Sequence, residues 1–193
     1  MSNRIAKGLT ILWERLTKQG LLTTALWAAD HAVRATTGAP IRCFSQITPH
    51  LHVGGQYRQR GWPALTQRGI TAVIDMRIEF DDRMAGIAPG TYLYLPVIDD
   101  EAPSLHHLSA GVKFMTEVIS SGGAVYIHCG AGVGRAPTMA AAYLVSTGMA
   151  PTQALEMIQA RRPFIRPKPA QVAQIERFAK HTHPSSLTPA ANQ

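Results

Sequence analysis

The sequence predicts an α/β fold: a central, mostly parallel sheet flanked by helices, with an N-terminal helical extension. Three observations carry this. Short apolar runs of strand length (Thr71–Asp75, Tyr92–Pro96, Ala124–His128) alternate with segments of helical period. Hydrophobic residues make up 46% of the 193 residues, enough for a packed core and too many for wholesale disorder. The length fits one domain of about 150 residues with a short appendage.

Residues 3–35 read as helix. Ile5, Leu9, Leu12 and Leu16 follow the spacing of one helix face, and Gly20 divides them from a second piece carrying Leu22, Leu26, Ala29 and Val33. At about 100° per residue, Arg4, Lys7, Arg15 and Lys18 fall together on another side. Two readings stay open: a docked helix with a solvated basic side, or a peripheral contact of residues 3–33 with an anionic membrane. Residues 36–42 read as linker. Leu51–Val53 is a short strand closed by Gly54 and Gly55, and Pro63–Arg68 a short helix with proline in its first turn. Ser104 caps a helix carrying Leu105, Leu108, Val112, Met115 and Ile119, which Gly122 and Gly123 stop. Pro137 opens a helix through Val145, and two more follow near 152–161 and 169–181. The expected organisation is a helical extension and linker over 1–42, one domain over 43–181 and a flexible Pro/Ser/Thr-rich tail over 182–193.

Lys and Arg exceed Asp and Glu by 19 to 12, a net charge of +7, but the excess sits at the two ends. Residues 51–150 carry 7 basic and 8 acidic groups, which argues against a nucleic-acid groove through the core. Cys43 and Cys129 cannot make a disulfide framework, and a reducing, cytoplasmic setting is expected. The uncharged stretch from Ala136 to Leu155 is broken by Pro137, Gly148 and Pro151 and does not read as a membrane span. Glu14 and Arg15 interrupt any leader-like apolar run.

The chemistry concentrates in His128-Cys-Gly-Ala-Gly-Val-Gly-Arg135, where a buried strand meets a helix. A loop at that junction gathers backbone N–H groups into one concavity at the helix N-terminus, an anion site. Gly130, Gly132 and Gly134 carry no Cβ to obstruct so tight a turn, with Ala131 and Val133 between them. Arg135 adds a planar fork suited to two phosphate oxygens, and Cys129 at the mouth faces a field that favours thiolate. A lone cysteine would read as a small buried hydrophobe; here strand, glycines and arginine agree. The Gly-Lys-Ser/Thr ending of a nucleotide loop is absent.

Cys-x5-Arg preceded by His resembles the signature of the cysteine-dependent protein tyrosine and dual-specificity phosphatases, over roughly residues 45–180. The compact dual-specificity type fits this chain length best. The resemblance implies hydrolysis of phosphate monoesters through a phosphocysteine, with Cys129 as nucleophile and His128 supporting it. It gives residues 130–135 as the phosphate site, with Arg135 stabilising the transferring group. It also implies a general acid about 30 residues upstream of the cysteine, because the departing alkoxide needs a proton. Asp99 stands there, with Asp100 as the alternative. The expected substrate is phosphotyrosine on protein, with phosphoserine or phosphothreonine in the dual-specificity form.

Met76-Arg-Ile-Glu-Phe-Asp-Asp-Arg-Met84, Leu95-Pro-Val-Ile-Asp99 and Arg162-Pro-Phe-Ile-Arg-Pro are similar to the mitochondrial-type phosphatidylglycerophosphate phosphatases, with Phe80 replacing an expected tyrosine. That branch implies a phospholipid headgroup as alternative substrate. The loop holds no lysine, which disfavours polyphosphorylated inositol. Ala136 departs from the family, which has Ser or Thr after the arginine to stabilise the leaving thiolate. A slow phosphate-binding module is the remaining alternative. No metal or organic cofactor is implied: His50-x-His52 and His181-x-His183 lack a completing ligand. Trp13, Trp27 and Trp62 read as packing residues.

Overall fold

Four runs rich in Val, Ile, Tyr and Leu form the sheet, because apolar side chains on both faces suit strands covered on both sides. The computed structural model describes residues 2–182, without the side chains of residues 2–12 and Glu14. In chain order the elements are α1 (Ser2–Thr37), β1 (Leu51–Gly55), α2 (Trp62–Thr66), β2 (Ile70–Arg77), β3 (Thr91–Val97), α3 (Leu105–Ser120), β4 (Ala124–Cys129), α4 (Arg135–Ser146), α5 (Pro151–Arg161) and α6 (Pro169–Thr182). The sheet order is β1-β4-β2-β3 and every pair is parallel, so the predicted α/β class holds.

β4 lies between β1 and β2 and is buried along its whole length. On one face Ile74, Ile127, Leu108, Met115, Met139 and Phe178 join strands to α3, α4 and α6. On the other, Tyr57, Leu65, Val73 and Tyr126 form a smaller cluster beneath α2. The Ser104 hydroxyl caps α3 by accepting from His107 N at 3.0 Å. α4 is sheathed by its neighbours, and Ala136, Ala140 and Ala141 let it approach them closely.

Several sequence expectations need correction. α4 starts at Arg135, two residues before Pro137; the first helical N–H groups have no acceptor within the helix, so a proline there costs no bond. α1 does break at Gly20 (φ 82°), but its second piece docks through polar residues. Thr24, Asp30 and Arg34 are buried, whereas Leu21 and Leu22 are 76% and 74% exposed. Arg15 is likewise buried and cannot belong to a solvated basic face with Lys18; the side chains of Arg4, Lys7, Ile5, Leu9 and Leu12 lie outside the described residues. Trp13, at 69% exposed, is not a packing residue. Residues 183–193, with most of the expected tail, also lie outside the description. Among the described residues no helix is long and apolar enough to cross a membrane.

His50 and His52 do not share a strand face. His50 precedes β1 and meets Gly123 O through Nδ1 at 2.9 Å, while His52 is fully buried with neither ring nitrogen partnered. Burial pushes His52 down to about 4. A histidine that resists protonation only when folded makes stability fall as pH drops from about 6.5 toward 4, because there the unfolded chain binds the extra proton. Between pH 7.5 and 5, urea denaturation should show the wild type losing about 2 kcal/mol more than His52→Leu. Equal losses would remove His52 as the cause.

Candidate active site

β4 delivers Cys129 to the carboxyl edge of the sheet, and the chain then loops through residues 130–134 into α4. The carbonyl oxygens along this loop are all engaged outside it. Gly130 O accepts from Arg34 Nη1 at 3.0 Å and Gln56 N at 3.1 Å. Ala131 O and Gly132 O accept from Arg162 Nη2 and Nε at 3.0 and 2.7 Å. Val133 O accepts from Arg166 N at 2.7 Å, and Gly134 O from Thr138 N and Oγ1 at 3.0 and 2.9 Å. With the carbonyls turned outward, the N–H groups are left for the interior. Gly132 N points at Cys129 Sγ, 3.3 Å away, and those of Ala131, Val133 and Gly134 have no acceptor among the described residues. Such an arrangement can cradle an anion. Gly132 has φ 69°, and a Cβ there would stand 2.2 Å from the Gly54 backbone carbon, so only glycine lets the loop pass over β1.

Two buried arginines outside the loop hold those carbonyls. Arg162 also donates to Phe44 O at 3.0 Å and pairs with Asp30 of α1 at 3.3 Å. Arg34, from the same helix, bridges Gly130 O and Gln56 O. The N-terminal helix therefore takes part in shaping the loop. Sequence reasoning missed Asp30, Arg34 and Arg162, since a charged i, i+4 pair on a helix ordinarily reads as a solvated face.

Arg135 is almost fully buried, and Glu79 grips it bidentately at 2.8 Å on both Nη atoms. Val97 O and Met76 O, from the ends of β3 and β2, take Nη1 at 2.7 and 3.3 Å. Nε has no acceptor, which leaves one edge of the fork for an anion. Burial works against this charge, but the Glu79 bond, with Cys129 and Asp99, raises the guanidinium pKa above its ordinary value. The Arg135 bond conversely holds Glu79 down at about 2. Glu79 falls in the run likened to the lipid-phosphatase branch, but that likeness had assigned it no role.

Asp99 and Asp100 occupy a tight turn in which Glu101 N returns to Ile98 O at 3.1 Å and Asp100 has φ 66°. The turn sends the two carboxylates apart: Asp99 to Arg135 Nη2 at 2.9 Å, Asp100 to Lys168 at 3.1 Å. Buried Gln171 fastens the turn by donating to Glu101 O at 2.8 Å. Behind the cysteine, His128 Nε2 meets Asp82 at 2.8 Å, and Asp75 receives Arg77 N, Asp82 N and Tyr92 Oη at 2.9 to 3.2 Å. Burial raises Asp75; Asp82 feels the same burial, but the His128 hydrogen bond and charge bring it below its usual value. Asp75, Asp82 and His128 are the group of metal-ligating types that converges among the described residues, and these hydrogen bonds account for its geometry.

Cys129, residues 130–131 and 133–135, Asp99 and Asp100 line one cleft of about 520 Å³, which Arg15, Trp27, His31, Arg166, Lys168 and Gln171 also line. Trp27, expected only to pack, lines it too. Thr138 spends its hydroxyl on Gly134 O, and the side chain of Ala136 is a methyl group, so neither side chain supplies a donor to the sulfur.

The family described as "Polymorphic toxin system, DSP-PTPase phosphatase" matches residues 53–149, half of the chain. Dual specificity protein phosphatase 5 of Rattus norvegicus is 30% identical over 157 residues, covering 79% of this chain and 38% of that protein. Human dual specificity protein phosphatase 15 is 31% identical over 134 residues, 68% of this chain and 44% of that one. The chain thus spans less than half the length of these curated relatives. Among solved structures, PTPMT1 in complex with PI(5)P aligns with a TM-score of 0.67 at 27% identity, covering 72% of this chain and 96% of that one. Human DUSP28, at 23% identity, shares the fold with a TM-score of 0.66 over 74% of this chain and 99% of its own. Since the family match runs through both the sheet and the cysteine loop, the chain belongs to the DSP-PTPase phosphatases.

Proposed function

We propose that the protein hydrolyses phosphate monoesters through a phosphocysteine, as a protein-tyrosine or dual-specificity phosphatase. The observation that carries this is the cradle itself: outward carbonyls, inward N–H groups, and the open edge of Arg135 beside Cys129 Sγ. The phosphate oxygens take the places of acceptors the cradle lacks, and Arg135 meets charge that grows on the equatorial oxygens. Cys129 Sγ attacks phosphorus, and the ester oxygen leaves with the proton of Asp99. Water then attacks the phosphocysteine, Asp99 receives its proton, and sulfur departs as thiolate. A turnover panel of phosphopeptides and phospholipids tests the reading, and an inactive panel would sink it.

Asp99 suits the acid role because its carboxylate stands over Arg135, whereas Asp100 is drawn to Lys168. Asp99→Asn should slow alkyl phosphates about a hundredfold and aryl phosphates, whose leaving groups need little protonation, markedly less. If Asp100→Asn gives that contrast instead, the roles are exchanged.

Ala136 bears on the second half of the cycle. Without a hydroxyl beside sulfur, phosphoenzyme should form normally and decay slowly, giving a product burst equal to the enzyme concentration. Ala136→Ser should raise the steady-state rate about tenfold, ~1.4 kcal/mol, and barely move the burst. A linear time course unchanged by the serine would make the alanine neutral.

A second reading, a phospholipid-headgroup substrate, is favoured by α1: Trp13, Leu21 and Leu22 expose apolar surface on the helix that walls the cleft. The PI(5)P complex of PTPMT1 supports the same chemistry. The panel separates the two.

A further inference from the structure

Resting on the phosphatase reading, we infer that Arg15, Trp27 and His31 of α1 form a second anion subsite beside the phosphate cradle. It takes the second phosphate of a small, doubly phosphorylated substrate.

The first ground is a buried charge with no carboxylate partner among the described residues. Arg15 is 5% exposed, yet its hydrogen-bond partners are neutral: Gln19 Oε1 at 2.8 Å and Phe164 O at 3.4 Å. Its guanidinium lies over the Trp27 ring, 4.5 Å from the centroid, and no carboxylate among the described residues pairs with it. A buried cation without a counter-ion is costly unless an anion arrives. Burial, with Arg166 and Arg162 nearby, lowers it to about 10.

The second ground is the donor set. His31 Nδ1 lies 2.9 Å from Arg34 Nη2; since an arginine only donates, Nδ1 accepts and the ring proton sits on Nε2. The Trp27 indole N–H, one helical turn before His31, has no acceptor. The residues that carry a guanidinium, an indole N–H and an imidazole N–H are thus neighbours, with Arg15 4.5 Å from the Trp27 ring centroid and the Trp27 and His31 centroids 5.5 Å apart. All three residues line the cleft that holds Cys129 and Arg135, whose volume of about 520 Å³ exceeds what one phosphate fills. A buried arginine is reached by a second group on the same small molecule more readily than by an acidic side chain flanking a phosphotyrosine. The second phosphate can be free, or the diester of a lipid headgroup.

The test compares kcat/KM for pairs sharing the scissile ester: glycerol 1,3-bisphosphate against glycerol 1-phosphate in solution, and PI(5)P in phosphatidylcholine vesicles against soluble inositol 5-phosphate. The wild type should favour the doubly phosphorylated member at least about tenfold in one arm, and that arm identifies the source. Arg15→Met, which keeps the stem over Trp27, should bring the ratio near one, and Arg15→Lys should recover part of it. The same ratio read as affinities on Cys129→Ser protein judges the subsite independently of turnover; absence of turnover alone would count against the phosphatase reading instead. A wild-type ratio near one in both arms, a ratio indifferent to Arg15→Met, or a preference confined to acidic phosphopeptides overturns the inference.

Discussion

Cys129→Ser should lower turnover on the order of 10⁴-fold while aryl phosphate still binds within about threefold of the wild-type affinity. The two readouts separate because the groups that hold phosphate are distinct from the group that attacks it. Backbone N–H groups and the free edge of Arg135 are untouched by exchanging sulfur for oxygen. A serine hydroxyl at this position has no base to take its proton: His128 Nε2 is committed to Asp82 behind the strand, and in the proposed mechanism Asp99 serves the leaving-group side. Calorimetric binding to the variant, set beside steady-state rates, checks both halves. Residual turnover within about tenfold of wild type would remove Cys129 from the nucleophile's role.

Arg162→Met should have the next largest effect, about a thousandfold in rate and about 3–5 kcal/mol in stability. The side chain is fully buried and ties four groups together: Phe44 O, Ala131 O, Gly132 O and Asp30. Methionine fills the space but frees two consecutive loop carbonyls, which can then turn toward the cradle and repel phosphate. It also leaves Asp30 buried with only the backbone N–H of Ile41 as partner. Burial disfavours the Arg162 charge and Asp30 opposes that, so Asp30→Asn should weaken the anchor less than removing the fork. Thermal unfolding, phosphate affinity and rate together test the argument. A folded Arg162→Met protein that keeps its rate within about threefold would mean the loop holds its own shape.

Strands, helices and the loop were legible because each rests on a local signal. Val125 to Ile127 is an apolar run of strand length, Ser104 caps the helix it precedes, and the Cys129–Arg135 spacing is contiguous. What escaped depends on contacts far apart in sequence. Glu79 and Arg135 are 56 residues apart and Arg34 and Gly130 are 96, and neither pair leaves a periodic mark. α1 misled for a related reason. Its leucines obey the apolar spacing, but tertiary partners for Asp30 and Arg34 outweigh the burial of Leu22, so the helix docks on its polar side. Spacing alone favours Asp99 with Asp100 as the alternative; the positive φ of Asp100, which turns the two carboxylates apart, leaves no mark in the sequence.

The pairing of Asp30 with Arg162 spans 132 positions. Closing so long a stretch of chain precedes any gain from the contact, so such contacts form late. During synthesis the strand bearing Cys129 emerges before Arg162 exists to restrain the loop beyond it. A polypeptide halted between Arg135 and Arg162 would carry the whole Cys-x5-Arg motif and still lack the clamp on the Ala131 and Gly132 carbonyls. The loop is therefore held in shape only once residue 162 has joined the fold, later than the strand that carries Cys129.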